Sequence, residues 1–336
     1  LNDNHAAIAM KRRVLLSSLA LAAMPLAGPV PARAQQRRIP TIGFIAPTNE
    51  KVGQANFDAF VRRFAELGWR RSDTVEIDLR WAEGQVPRAE AMAAEFARRN
   101  VDVLVTASDP FVQAAARSAP ATAIVSLASQ DPVGTGQVRS LAHPGGNVTG
   151  LAMAGSEIAA KRLEIMRELI PGLQRIGVLG DYTNPVTALE ANVLKAAGGS
   201  RPVEIVAMDV RQVGDIAPVL ERHRPDIQAI YAVSQPIITA NAVQVNGLAL
   251  AARLPTMHGF RENAAGGGLV SYGADLIDLY RRGAEIVDKV LRGARPADIP
   301  VEQPTRFTLV IDLATAKALG LSVPPLLITR ADEVIE

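Results

Sequence analysis

The stretch VDVLVTASDPFVQAAAR, residues 101–117, passes from continuous apolar residues through Ser108-Asp109-Pro110 into an alanine-rich helical pattern. The phrase returns at RIGVLGDYTNPVTALEANV, residues 175–193, and at QAIYAVSQPIITANAVQV, residues 228–245. Each time an apolar strand ends in a small polar cluster, followed by a proline and a helix. A continuous apolar run suits a strand covered on both faces, as in a parallel sheet flanked by helices. Proline is preorganised for the first helical position, and a preceding Asp, Asn or Ser caps the helix. In such sheets, ligands bind beyond the carboxyl ends of the strands, where helix N-termini present unpaired N–H groups. Taken singly, Asp109, Asn184 and Ser234-Gln235 need only start helices. One phrase in the first half and two in the second together point to a shared cleft.

Working outward, strand and helix patterns alternate over 39–45, 54–67, 74–80, 87–99, 101–107, 111–118 and 123–127. The Gly/Pro-rich passage DPVGTGQVRSLAHPGGNVTGL follows, with a small helix expected at 138–141. The alternation then restarts with a helix over 157–169 and strands over 175–179, 203–208, 229–233, 255–258 and 266–271, with helices at 186–197 and 216–223 between them. Residues 236–253 read as one helix and 276–292 as another, before a strand at 306–311, a helix at 313–319 and a polar exit at 330–336. Two such series predict an α/β chain of two doubly wound parallel-sheet lobes, which suits 336 residues with 48% hydrophobic and 4% aromatic content.

The net charge of +2 originates at the N-terminus. Residues 1–34 hold Lys11, Arg12, Arg13 and Arg33 against Asp3, and the remainder balances 32 basic against 33 acidic residues. A near-neutral chain argues against a broad nucleic-acid surface, so no nucleic-acid partner is expected. From Met10 the text MKRRVLLSSLALAAMPLAGPVPARAQ has the basic start, apolar run and Ala32-Arg33-Ala34 site of a secretory signal peptide. Residues 1–34 are therefore read as a signal peptide with an upstream extension, cleaved near Ala34, and the protein is expected in the periplasm. Cysteine is absent, so no disulfide braces the fold.

Catalytic patterns are missing. Gly145-Gly146 and AAGGGL, residues 264–269, lack the order of a dinucleotide loop, and no P-loop lysine, G-x-S-x-G elbow or metal-ligand spacing occurs. No enzymatic activity, metal or cofactor is expected. Asp275, after Ser271-Tyr272-Gly273, either caps the next helix or holds an ammonium group.

Several stretches together resemble a known family: WAEG at 81–84, DPVGTG at 131–136, HPGGNVTGL at 143–151, KRLEIMRELIP at 161–171, and the whole C-terminal block from SYGADLIDLYRRG onward. They are similar to ABC-transporter substrate-binding proteins related to tryptophan-binding receptors, which have the type I periplasmic binding fold. The resemblance implies two lobes joined by a multi-strand hinge. One lobe comprises 35–135 plus 272–298, the other 150–270 plus 300–336, with hinges near 131–150, 268–273 and 295–304. It implies a cofactor-free monomer that closes on a small solute, an amino acid or other small carboxylate, aromatic solutes included. The partners implied are a membrane permease and its cytoplasmic ATPase. Carried over by position, the ligand-facing residues are Pro47, Thr48, Ser108, Asp109 and Asp131 from the first lobe and Tyr182, Asn184, Ser234 and Gln235 from the second. Asp275 returns to the first. Tyr182 either stacks on an aromatic solute or covers the lobe edge. A sensor that feeds a membrane signalling receptor is the alternative on the same fold.

Overall fold

Apolar strands flanked by amphipathic helices build two separate sheets in the computed structural model, which describes residues 38–198 and 202–336. The expected signal segment lies outside the described residues. The first lobe holds β1 (Thr41–Ala46), α1 (Glu50–Glu66), β2 (Glu76–Trp81), α2 (Val86–Arg98), β3 (Val103–Thr106), α3 (Asp109–Ser118), β4 (Ala123–Ser129) and β5 (Val148–Ala152). Its strand order is β2-β1-β3-β4-β5, every pairing parallel.

The second lobe follows with α4 (Ala159–Leu169), β6 (Arg175–Gly180), α5 (Pro185–Ala197), β7 (Glu204–Asp209), α6 (Ile216–His223) and β8 (Ala229–Ala232). It continues through α7 (Pro236–Ala240), α8 (Ala242–Ala251), β9 (Thr256–His258), α9 (Arg261–Ala265) and β10 (Val270–Ala274). After α10 (Leu276–Leu291) come β11 (Phe307–Asp312), α11 (Leu313–Leu319), α12 (Pro325–Arg330) and β12 (Glu333–Ile335). The order is β12-β11-β10-β9-β8-β6-β7, parallel except for the antiparallel pair β10 and β11.

α10 leaves the second sheet and covers the first. Its buried residues Leu279, Tyr280, Gly283, Ala284, Ile286 and Val287 recur at helical spacing, and most join the core around Phe44, Phe57 and Phe60. Gly283 permits this approach, because a Cβ there would lie 2.1 Å from Leu127 Cδ2. The chain thus crosses between sheets after β5, after β10 and before β11. Two expected boundaries shift accordingly, since 150 falls inside β5 and 272 inside β10. Ile299 and Val301 lie in first-lobe cores, so the return to the second lobe comes later than 300. Of the expected hinge segments, 131–150 ends inside first-lobe β5 and 268–273 runs into second-lobe β10, while 295–304 reaches the last crossing.

Local differences have local causes. The expected helix at 138–141 is not formed; bends there lead into β5, whose Thr149 hydroxyl donates to Ile299 O at 2.7 Å. The single helix expected over 236–253 breaks at Asn241, whose side-chain amide turns back to Ile237 O at 2.8 Å. The polar exit carries β12, anchored by Arg261 to Glu333 at 2.6 Å.

Both sheets reverse direction of winding next to β1 and β3, and next to β6 and β8. Those switch points open crevices beyond the strand ends. The crevices of the two lobes face one another.

Candidate functional site

The strand ends deliver small polar residues into one cavity. β1 runs into Pro47 and Thr48, β3 into Ala107 and Ser108, and β8 through Val233 into Ser234 and Gln235. Pro47, Thr48 and Ser108 of the first lobe and Ser234 of the second all line a cavity with about 560 Å³ of unfilled space, part of it open to solvent. The α1 end beside it is capped by Asn49, which accepts from Val52 N at 3.1 Å. Ser108 holds φ +70°, a conformation L residues rarely adopt, with its N–H bound to Ala128 O at 2.7 Å. Its hydroxyl makes no capping bond.

The cavity is polar at chosen points and apolar elsewhere. Val52, Met153, Phe260, Leu276 and Tyr280 supply the apolar wall. Phe260 comes from the second lobe, before α9, yet its ring belongs to the first-lobe core. Three lining side chains carry buried polar atoms without a hydrogen-bond partner among the described residues: Asn56 Oδ1, Ser234 Oγ and Thr239 Oγ1. Ser234 sits close against Gly259, where a Cβ would lie 1.9 Å from its hydroxyl oxygen. Glu262 is the one charged side chain lining the cavity among the described residues. Burial, reinforced by Asp275, raises its pKa above the usual glutamate range.

The remaining expected site residues are placed differently. Asp109 is not the cap of α3; Ser108 takes that position, and Asp109 is its first residue. Its carboxylate turns inward, 2% exposed, and accepts from Gln130 N at 2.9 Å and Gln137 Nε2 at 2.6 Å. It therefore braces the exit of β4. Asp131 accepts from Gly134 N at 2.8 Å within its own turn. Tyr182 lies against the second-lobe core and donates to Val178 O at 3.3 Å. It lines neither opening of the cleft, and burial pushes its phenol up to about 12. Asn184 caps α5 through Val186 N at 3.0 Å. Gln235 accepts from Asp181 N at 2.7 Å and donates to Thr187 Oγ1 at 2.6 Å. Asn184 and Gln235 line a wider opening of the cleft, bounded across from them by Gly84 and Pro110. Asp275 caps α10 through Asp278 N at 3.2 Å and is exposed, outside the cavity lining.

Asn56, Thr239, Phe260 and Glu262 escape sequence reasoning. Asn56 and Thr239 look like ordinary polar positions on helices. Glu262 sits in RENAAGGG, where the glycines suggest a loop and the five-residue α9 is too short to show a period.

The family model of the ABC transporter substrate binding protein matches residues 44–335. The chain belongs to this family. ABC transporter substrate-binding proteins are solute receptors outside the cytoplasm rather than enzymes, and they interact with the other transporter components. A tyrosine-binding protein of Clostridioides difficile is 25% identical over 262 residues, 78% of this chain and 75% of that protein. A Streptococcus pneumonia ABC domain in complex with L-Trp superposes with TM-score 0.82 at 24% identity, covering 88% of this chain and 99% of that one. A conserved domain protein from Vibrio cholerae gives TM-score 0.83 at 23% identity over 88% of this chain and all of that one. These neighbours establish the type I periplasmic binding fold for this substrate-binding protein. No helix among its described residues is long and apolar enough to cross a membrane.

Proposed function

We propose that this protein captures an amino acid with an apolar, aromatic-sized side chain between its lobes and delivers it to an ABC importer. The observation that carries the reading is the composition of the interlobe cavity. Thr48, Ser108 and Ser234 gather hydroxyls from both lobes beside the start of α1, an environment suited to a carboxylate. Glu262 supplies a carboxylate that forms no ion pair among the described residues, suited to an ammonium group. The apolar wall lies with them, and the names of the relatives, tyrosine-binding and L-Trp-bound, support an aromatic amino acid.

Ligand contacts to both lobes favour the closed arrangement, so capture proceeds by hinge closure across the three crossings. In this reading the protein acts as a cofactor-free monomer in the periplasm, after removal of the segment ending near Ala34. It hands its solute to a membrane permease driven by a cytoplasmic ATPase. A thermal-shift screen against the common amino acids tests the reading, since a ligand that binds only the folded state raises its melting temperature. Aromatic amino acids are expected to shift it most. A flat response to every amino acid would refute the assignment.

A further inference from the structure

Two cavity atoms remain unaccounted for once the hydroxyls and Glu262 have been given the backbone groups of an amino acid. Asn56 Oδ1 on α1 and Thr239 Oγ1 on α7 have no hydrogen-bond partner among the described residues. Their residues are 6% and 7% exposed, line the same cavity and come from opposite lobes. Leaving a buried polar atom unpaired is destabilising, and an apolar residue at either position would avoid that cost.

Their position along the helices separates them from the strand-end hydroxyls. Asn56 lies two turns beyond the Asn49 cap, about 10 Å along the axis of α1. Thr239 lies about one turn into α7. Asn56 and Thr239 share one cavity with Thr48, Ser108, Ser234, Phe260 and Tyr280, so a ligand carboxylate held among the hydroxyls leaves its side chain to meet them. The amide oxygen of Asn56 can only accept, while the Thr239 hydroxyl can accept or donate.

We propose that Asn56 and Thr239 are the specificity-determining residues of the cavity, and that they select an aromatic amino acid whose ring carries an N–H or O–H donor. A phenol or an indole satisfies Asn56 Oδ1; a plain phenyl ring leaves it bare. This rests on the amino-acid reading above and narrows it. Sites built to bond a ligand donor discriminate strongly against the analogue that lacks it, because their own polar groups are then stranded.

Isothermal titration of the protein, Asn56→Leu and Thr239→Val with L-tyrosine, L-tryptophan and L-phenylalanine tests it. The wild type is expected to bind tyrosine or tryptophan at least about tenfold tighter than phenylalanine, a difference of about 1.4 kcal/mol. In Asn56→Leu that ratio collapses toward unity, and Thr239→Val narrows it. Equal wild-type affinity for phenylalanine, or a ratio that survives both substitutions, would overturn the proposal while leaving the amino-acid reading intact. Failure of the wild type to bind all three would bring down both.

Discussion

The side-chain amide of Gln130 donates to the main-chain oxygen of Ser234, 3.1 Å away, joining the exit of β4 in the first lobe to the exit of β8 in the second. Gln130 is 5% exposed, and its N–H is held by Asp109 at 2.9 Å. Parting the lobes breaks this bond. Gln130→Ala is therefore expected to weaken ligand binding by about 1 kcal/mol, roughly fivefold in Kd, by removing a contact between lobes that the proposed closure uses. Calorimetric titration with the best amino-acid ligand checks it; undiminished affinity would remove Gln130 from the closure.

Within the second lobe, Arg162 donates through Nε to Tyr272 O at 2.7 Å and through Nη1 to the Tyr231 hydroxyl at 2.7 Å, with Glu190 Oε2 at 3.4 Å. The Tyr231 hydroxyl donates in turn to Glu190 at 2.5 Å. Both charged side chains are buried, 4% and 0% exposed. Removing one partner strands the other, so Arg162→Met should cost about 3–5 kcal/mol in a denaturant melt. The double replacement Arg162→Met with Glu190→Leu should cost much less than the sum of the single changes. Additive losses would show that the two charges do not act as a pair.

His258 gives the fold an acid limit. It is fully buried, with Nε2 at 2.8 Å from Asn246 Oδ1, and burial followed by the charge of Arg162 lowers its pKa to about 3. A depressed folded pKa contributes stability above the unfolded value near 6.5, and that contribution is lost as pH falls toward 3. At pH 5 the loss is about 2 kcal/mol. Melting temperatures between pH 7 and 4 should fall less steeply in His258→Gln than in the wild type. Parallel slopes would mean that His258 does not set the acid limit.

The lobes were legible because their strands are continuous apolar runs ended by polar residues and proline, as Val103–Thr106 before Ser108-Asp109-Pro110 shows. α6 and α11 follow Asp215 and Asp312, and their bounds coincide with the expected helices over 216–223 and 313–319. β5 was hidden, since Val148 to Ala152 includes Gly150 at φ +140° and follows His143-Pro144-Gly145-Gly146. A five-residue strand behind such turn residues has no periodicity to display. Of the expected ligand-facing residues, Pro47, Thr48, Ser108 and Ser234 line the candidate cavity, because strand ends determine their placement. Asn56, Phe260 and Glu262 are brought to the cavity by contact between lobes, which local sequence does not encode. Asp109 illustrates the converse: its position suggested a ligand contact, while the geometry of Gln130 and Gln137 claims its carboxylate.

In the proposed function an amino acid sits between the lobes with its ammonium on Glu262. Because folding raises the proton affinity of Glu262, the associated gain in stability is complete below the usual glutamate range and is gone once pH has risen past the raised value. Ligand binding has the opposite sense, since only the ionised carboxylate pairs with an ammonium. Calorimetric titration of L-tyrosine and L-tryptophan into wild type and Glu262→Gln, from pH 4 to 8, tests this most directly. The prediction is one-to-one binding that weakens in the wild type as acid protonates Glu262, with Glu262→Gln weaker at pH 7 by about 2 kcal/mol or more and nearly independent of pH. Equal affinities for both proteins across that range would contradict it.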